Sequence, residues 1–125
     1  QADIAREFVC IDYAENLPKQ KKHKEYFVHF NDGFLKDSIC VFLNGNLIYE
    51  NRITTDLSLS HATSFRLRIK RNKQPVLKII LDDKKSFCEI VFDKRFRLLK
   101  LYHMEDSHTE PHWIANYSNK TAIYE

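Results

Sequence analysis

Glycine occurs only twice and proline three times in 125 residues. Loops that wrap a phosphate or a dinucleotide need backbone that reaches positive φ and approaches the ligand closely, which clustered glycines supply. Neither a GxGxxG fingerprint nor a GxxxxGK[ST] loop is present, and HExxH and GxSxG are missing as well. Cysteine is equally scarce. Cys10, Cys40 and Cys88 cannot all pair within one chain, and no CxxC or Cys/His finger spacing supports a structural zinc site. Each lies in a strand-like apolar run, where a free Cys acts as a small buried hydrophobe; if the chain is exported, Cys40 and Cys88 are the pair to expect. No apolar run approaches the roughly 20 residues that span a bilayer. Charge of one sign is also lacking: 20 Lys and Arg face 17 Asp and Glu, and a net +3 does not by itself imply a polyanionic partner. No stretch of ten or more residues repeats with a helical period.

What the chain does contain is β signal. Hydrophobic residues make up 43% and aromatics 13%, enough for one folded domain spanning 1–125. Asn44-Gly45 stands between two alternating runs, 38–44 and 47–53, and this dipeptide favours the type I′ turn of a tight hairpin. Further strands are expected at 7–13, 25–30, 64–70, 75–81, 86–92, 96–102 and 112–117, with a weaker one at 121–124. The cleanest alternation puts Phe65, Leu67 and Ile69 on one face and Arg66, Arg68 and Lys70 on the other, while Leu77 to Leu81 is apolar on both faces, as in a strand covered on each side. About nine short strands joined by hairpins and by the longer links 14–24 and 54–63 predict an all-β fold. The expected form is an antiparallel two-sheet β-sandwich of Greek-key or jelly-roll type.

Lys36-Asp37-Ser38-Ile39-Cys40-Val41-Phe42-Leu43-Asn44-Gly45, followed by Thr54-Thr55-Asp56, resembles a pattern in small exported bacterial β-sandwich proteins of unassigned activity. Tyr117-Ser118-Asn119-Lys120 with Tyr124 is similar to the end of that pattern. The resemblance implies the sandwich fold and export, and carries no functional residue across. The start Gln1-Ala2-Asp3, without Met, fits a chain that has lost a leader, so a secreted or periplasmic location is expected; a shortened chain would leave the compartment open.

Three constellations carry chemistry. The segment 103–112, HMEDSHTEPH, combines His103, His108 and His112 with Glu105, Asp106 and Glu110. Imidazole and carboxylate are the donors that hold zinc, copper or nickel, so His103, His108, His112 and Glu110 are the candidate ligands of a divalent transition metal; a solvated loop explains the same composition. Trp113 and Tyr117 are the candidate ring contacts for a protein or glycan partner, against the alternative that both fill the core. Basic runs at 19–24, 66–73 and 94–100 have the charge for nucleic acid, yet the acidic residues that offset them and the core-like placing of Phe65 and Phe96 argue against it. No cofactor is required by any motif. The expected function is therefore non-catalytic: an exported module that binds a protein or glycan, with metal binding at 103–112 as the alternative.

Overall fold

A computed structural model describes residues 5–13, 25–70, 73–82, 86–105 and 110–119. The chain is all-β. Its strands are β1 (Ala5–Arg6), β2 (Phe8–Tyr13), β3 (Tyr26–Phe30), β4 (Asp37–Leu43), β5 (Asn46–Ile53), β6 (Thr63–Leu67), β7 (Val76–Leu81), β8 (Ser86–Val91), β9 (Leu98–Met104) and β10 (His112–Ser118). Among the described residues there is no helix, and so none long and apolar enough to cross a membrane. The expected strand at 121–124 lies outside the described residues.

The strands form two sheets, ordered β1-β8-β7-β4-β5 and β2-β10-β9-β3-β6. They are mixed rather than antiparallel, which corrects the expectation from sequence: β1–β8, β2–β10 and β3–β9 run parallel. Hairpins can produce only antiparallel neighbours, whereas strands joined through long links are free to lie side by side in the same direction. The chain also changes sheets at Glu7: the expected strand 7–13 is found as β2 on β10, and a short β1 on β8, not expected from sequence, precedes it.

Period-two alternation builds one core between the sheets. Ile39, Val41, Leu77, Ile79, Leu81, Cys88 and Ile90 come from the first sheet; Val28, Phe30, Leu99, Leu101, Trp113, Ala115 and Tyr117 come from the second. At one flank, the ring of Tyr49 on β5 stacks on Phe65 of β6 at 4.5 Å and 10°, joining the edge strands of the two sheets. Such a pair contributes roughly 0.5–1.5 kcal/mol beyond the area it buries.

The β4–β5 hairpin turns at Asn44 and Gly45 with φ of +49° and +87°, both positive as a type I′ turn requires. Asn44 also ties the hairpin to β7: its N–H donates to the Val76 carbonyl and its side-chain oxygen accepts from the Val76 N–H, both at 2.9 Å. A bulge between Val41 and Phe42 shifts the register, so that Tyr49 faces Val41 and Leu47 faces Phe42. Cys40 and Cys88 do not meet. Cys40 is opposite Ile80 and Cys88 is opposite Ile79, so the two thiols lie on opposite faces of one sheet and both are unoxidised.

Candidate functional site

The outer face of the first sheet carries a shallow cavity of about 320 Å³. Phe42 of β4, Gly45 of the turn, Val76, Lys78 and Ile80 of β7, and Glu89 of β8 line it. Strand register explains the set: Phe42, Lys78 and Glu89 are direct cross-strand neighbours, and Val76 and Ile80 lie two residues either side of Lys78 on the same face. Apolar surface continues past the rim, with Leu47 opposite Phe42 and Val91 opposite Val76 exposed at 51% and 50%. The Lys78 ammonium sits 4.6 Å from the Phe87 ring centroid, a cation–π contact that holds the lysine across the sheet.

Cys40 lies one step further along this face. Its thiol donates towards Glu50 at 3.5 Å and Asp82 at 4.0 Å. Burial pushes it up to about 11, and the Glu50 hydrogen bond and the two carboxylate charges act in the same direction. The protonated thiol is a donor at neutral pH and a poor nucleophile.

The outer face of the second sheet holds a polar cluster. His29 of β3 is directly opposite Lys100 of β9. His61, at the end of the turn closed by the Asp56–His61 bridge, brings its ring centroid to 5.3 Å from that of His29. Its Nδ1 lies 3.0 Å from the Asn31 side-chain oxygen, and the Asn31 amide in turn donates to the Tyr102 hydroxyl at 3.2 Å. Burial, followed by the His61 and Lys100 charges, lowers His29 to about 4, and burial lowers His61 too. Both shifts favour the uncharged imidazole.

The residues singled out from sequence separate in space. Trp113 and Tyr117 are 0% and 1% exposed, each on the inward face of β10, so neither presents a ring to a partner. His103 is directly opposite Trp113 and points into the core, where it packs edge-on against that ring at 5.0 Å and bonds Glu7. His112 is opposite Met104 and lies on the other face of the sheet, with its Nδ1 3.0 Å from the Glu110 carbonyl. Glu110 is exposed, and His108 lies outside the described residues. Among the described residues, no three His, Cys, Asp or Glu side chains converge. In the basic segments, Arg66 pairs with Glu25 at 2.8 Å and Arg95 with Asp93 at 2.6 Å.

The outer cavity was legible in part. The two-faced apolarity of 75–81 marks β7 as a strand with something to cover on both sides. The meeting of His29 with His61 carries no local signal, because it depends on the 54–62 segment folding back onto β3 through the Ala62 N–H to Phe30 carbonyl bond of 2.8 Å. No known protein family, curated protein or solved structure matches the chain.

Proposed function

We propose that this chain is a non-catalytic β-sandwich module that binds a protein partner through the outer face of its first sheet. The sandwich reading rests on the shared core and on a chain path that crosses repeatedly between sheets, as Greek-key folds do: β1 in the first, β2 and β3 in the second, β4 and β5 in the first, β6 in the second, then β7–β8 and β9–β10. Export belongs to the same proposal and is supported by the resemblance of 36–45 and 54–56 to exported β-sandwich proteins.

One observation carries the binding reading. An outer sheet face is ordinarily polar, yet here Phe42, Val76 and Ile80 form an apolar floor beside a single cation and a single anion, Lys78 and Glu89. Apolar lining with few, placed polar groups is the usual composition of a recognition surface. It favours a protein segment over a glycan, because sugar hydroxyls need a dense set of hydrogen-bonding partners and this floor offers few.

The test pairs a displayed library of linear peptides with a glycan array, both applied to the purified chain. Enrichment of apolar peptides whose binding is lost in Ile80→Asp and Val76→Asp supports the reading. Binding of glycans with no peptide enriched would sink it.

A further inference from the structure

We propose that His29 and His61 form a two-imidazole site for a divalent transition metal of the zinc, copper or nickel type. The juxtaposition comes from two segments distant in sequence. His29 projects from the outer face of β3, and the turn ending at His61 places the second ring beside it, with centroids 5.3 Å apart and planes at 54°. A metal about 2.1 Å from one nitrogen of each ring, with a tetrahedral angle between them, sets the centroids about 5 Å apart. The observed separation fits chelation with little movement.

The hydrogen bonds behind His61 make the same point independently. The Asn31 side-chain oxygen is an acceptor, so the His61 Nδ1 facing it carries the proton and the lone pair is on Nε2. The Asn31 amide is itself held by Tyr102, and Asn31 is 4% exposed. A ligating histidine whose other ring nitrogen donates to a fixed carbonyl oxygen is the usual arrangement behind a bound metal, because it sets both tautomer and ring orientation. Imidazole nitrogen selects zinc, copper and nickel over calcium or magnesium. With two protein ligands, the remaining positions belong to water or to an oxygen or nitrogen donor of a bound partner.

One neighbour opposes the metal. Lys100 lies directly across from His29, and its charge repels a dication. This gives the proposal a signature that simple imidazole adsorption lacks, because Lys100→Gln should tighten binding while every other change to the cluster weakens it.

The experiment is calorimetric titration of chelator-treated full chain with nickel, copper(II) and zinc, each alone. The proposal expects one ion per chain, a loss of at least about tenfold in affinity in His29→Gln and in His61→Gln, and a loss of about tenfold in Tyr102→Phe, which loosens Asn31. It expects a gain in Lys100→Gln and no change in His112→Gln or His108→Ala. Thermal unfolding without metal shows whether each variant folds. A second measurement needs no variant: substoichiometric copper(II) should broaden the ring-proton resonances of His29 and His61 before those of the other four histidines. Absence of binding at about 100 µM ion overturns the proposal. So does binding that survives both histidine changes, or early broadening confined to the 103–112 histidines. Since peptide capture by the first sheet does not involve these residues, either reading can fail while the other stands.

Discussion

His103 Nε2 lies 2.6 Å from Glu7 Oε1, and this contact closes the point where the chain passes from one sheet to the other. Glu7 follows β1 on the first sheet and precedes β2 on the second, and its N–H donates to the Phe87 carbonyl at 2.8 Å. The carboxylate reaches a ring with no exposed side-chain surface on β9, and so ties the crossing between the sheets to a strand inside the second sheet. A carboxylate is an acceptor, so the ring donates through Nε2.

Glu7→Ala should therefore cost about 1–3 kcal/mol, because it removes a hydrogen bond between a carboxylate and a buried ring. Glu7→Gln keeps an acceptor oxygen and should cost less. Urea unfolding gives the magnitudes, and hydrogen exchange gives the location: amides of Phe8 to Tyr13 should exchange faster in Glu7→Ala while those of β4 and β7 are unchanged. Uniform acceleration across both sheets would show that the contact supports the whole core rather than the crossing.

The two glycines make a paired prediction. Gly33 has φ of +99°, and a Cβ there would lie 1.8 Å from the His103 carbonyl oxygen, a backbone atom that cannot step aside alone. Gly45 has φ of +87° and open space around the same position. Gly45→Ala should cost about 1–2 kcal/mol from the left-handed backbone alone. Gly33→Ala adds a clash to that strain and should cost at least about 3 kcal/mol. Thermal unfolding of the two variants side by side checks the order, and equal losses would contradict the close approach of 32–34 to β9.

Thiol chemistry should separate the three cysteines by environment. Burial raises the Cys88 thiol far above its ordinary range, so it should stay unreactive to a thiol-disulfide reagent until the protein unfolds. Cys40, at about 11, should react slowly at pH 8 and faster with each step in pH. Cys10 is half-buried on an edge strand and should give the fast phase. Mass spectrometry of the labelled peptides assigns the phases. Early labelling of Cys88 would mean that the β1–β8 edge opens in the native state.

Local chemistry was legible and long-range pairing was not. Asn44-Gly45 announces its hairpin because the turn needs only the φ preferences of two residues. The parallel neighbours β2 and β10 carry no such mark, since their direction is set by the whole path between them. His103 shows the limit within a single strand. Leu99, Leu101 and His103 share one face by period two, so its burial is written in the alternation, but a strand taken to end at 102 turns the same histidine into part of a loop. His112, at the far side of that loop, falls on the opposite face because its cross-strand partner is Met104. Reading composition without register made neighbours of two side chains that the sheet separates.

The His29–His61 pair also fixes how stability should respond to acid. Both folded values lie below the ordinary 6.5 of an unfolded histidine, His29 at about 4. As pH falls below about 6.5 the unfolded chain takes up protons that the folded chain refuses, so stability declines. The contribution from His29 is complete above 6.5, diminishes through the interval and is gone once pH reaches about 4, where the folded ring protonates too. Urea midpoints at several pH values between these limits should fall for the wild type and fall less for His29→Gln, the difference isolating this ring from the carboxylates. Nuclear magnetic resonance titration of the ring protons supplies the folded value directly. A His29 midpoint near 6.5 would place the ring in open solvent and remove the pH effect. A midpoint near 4 would show a ring held neutral by burial beside His61 and Lys100.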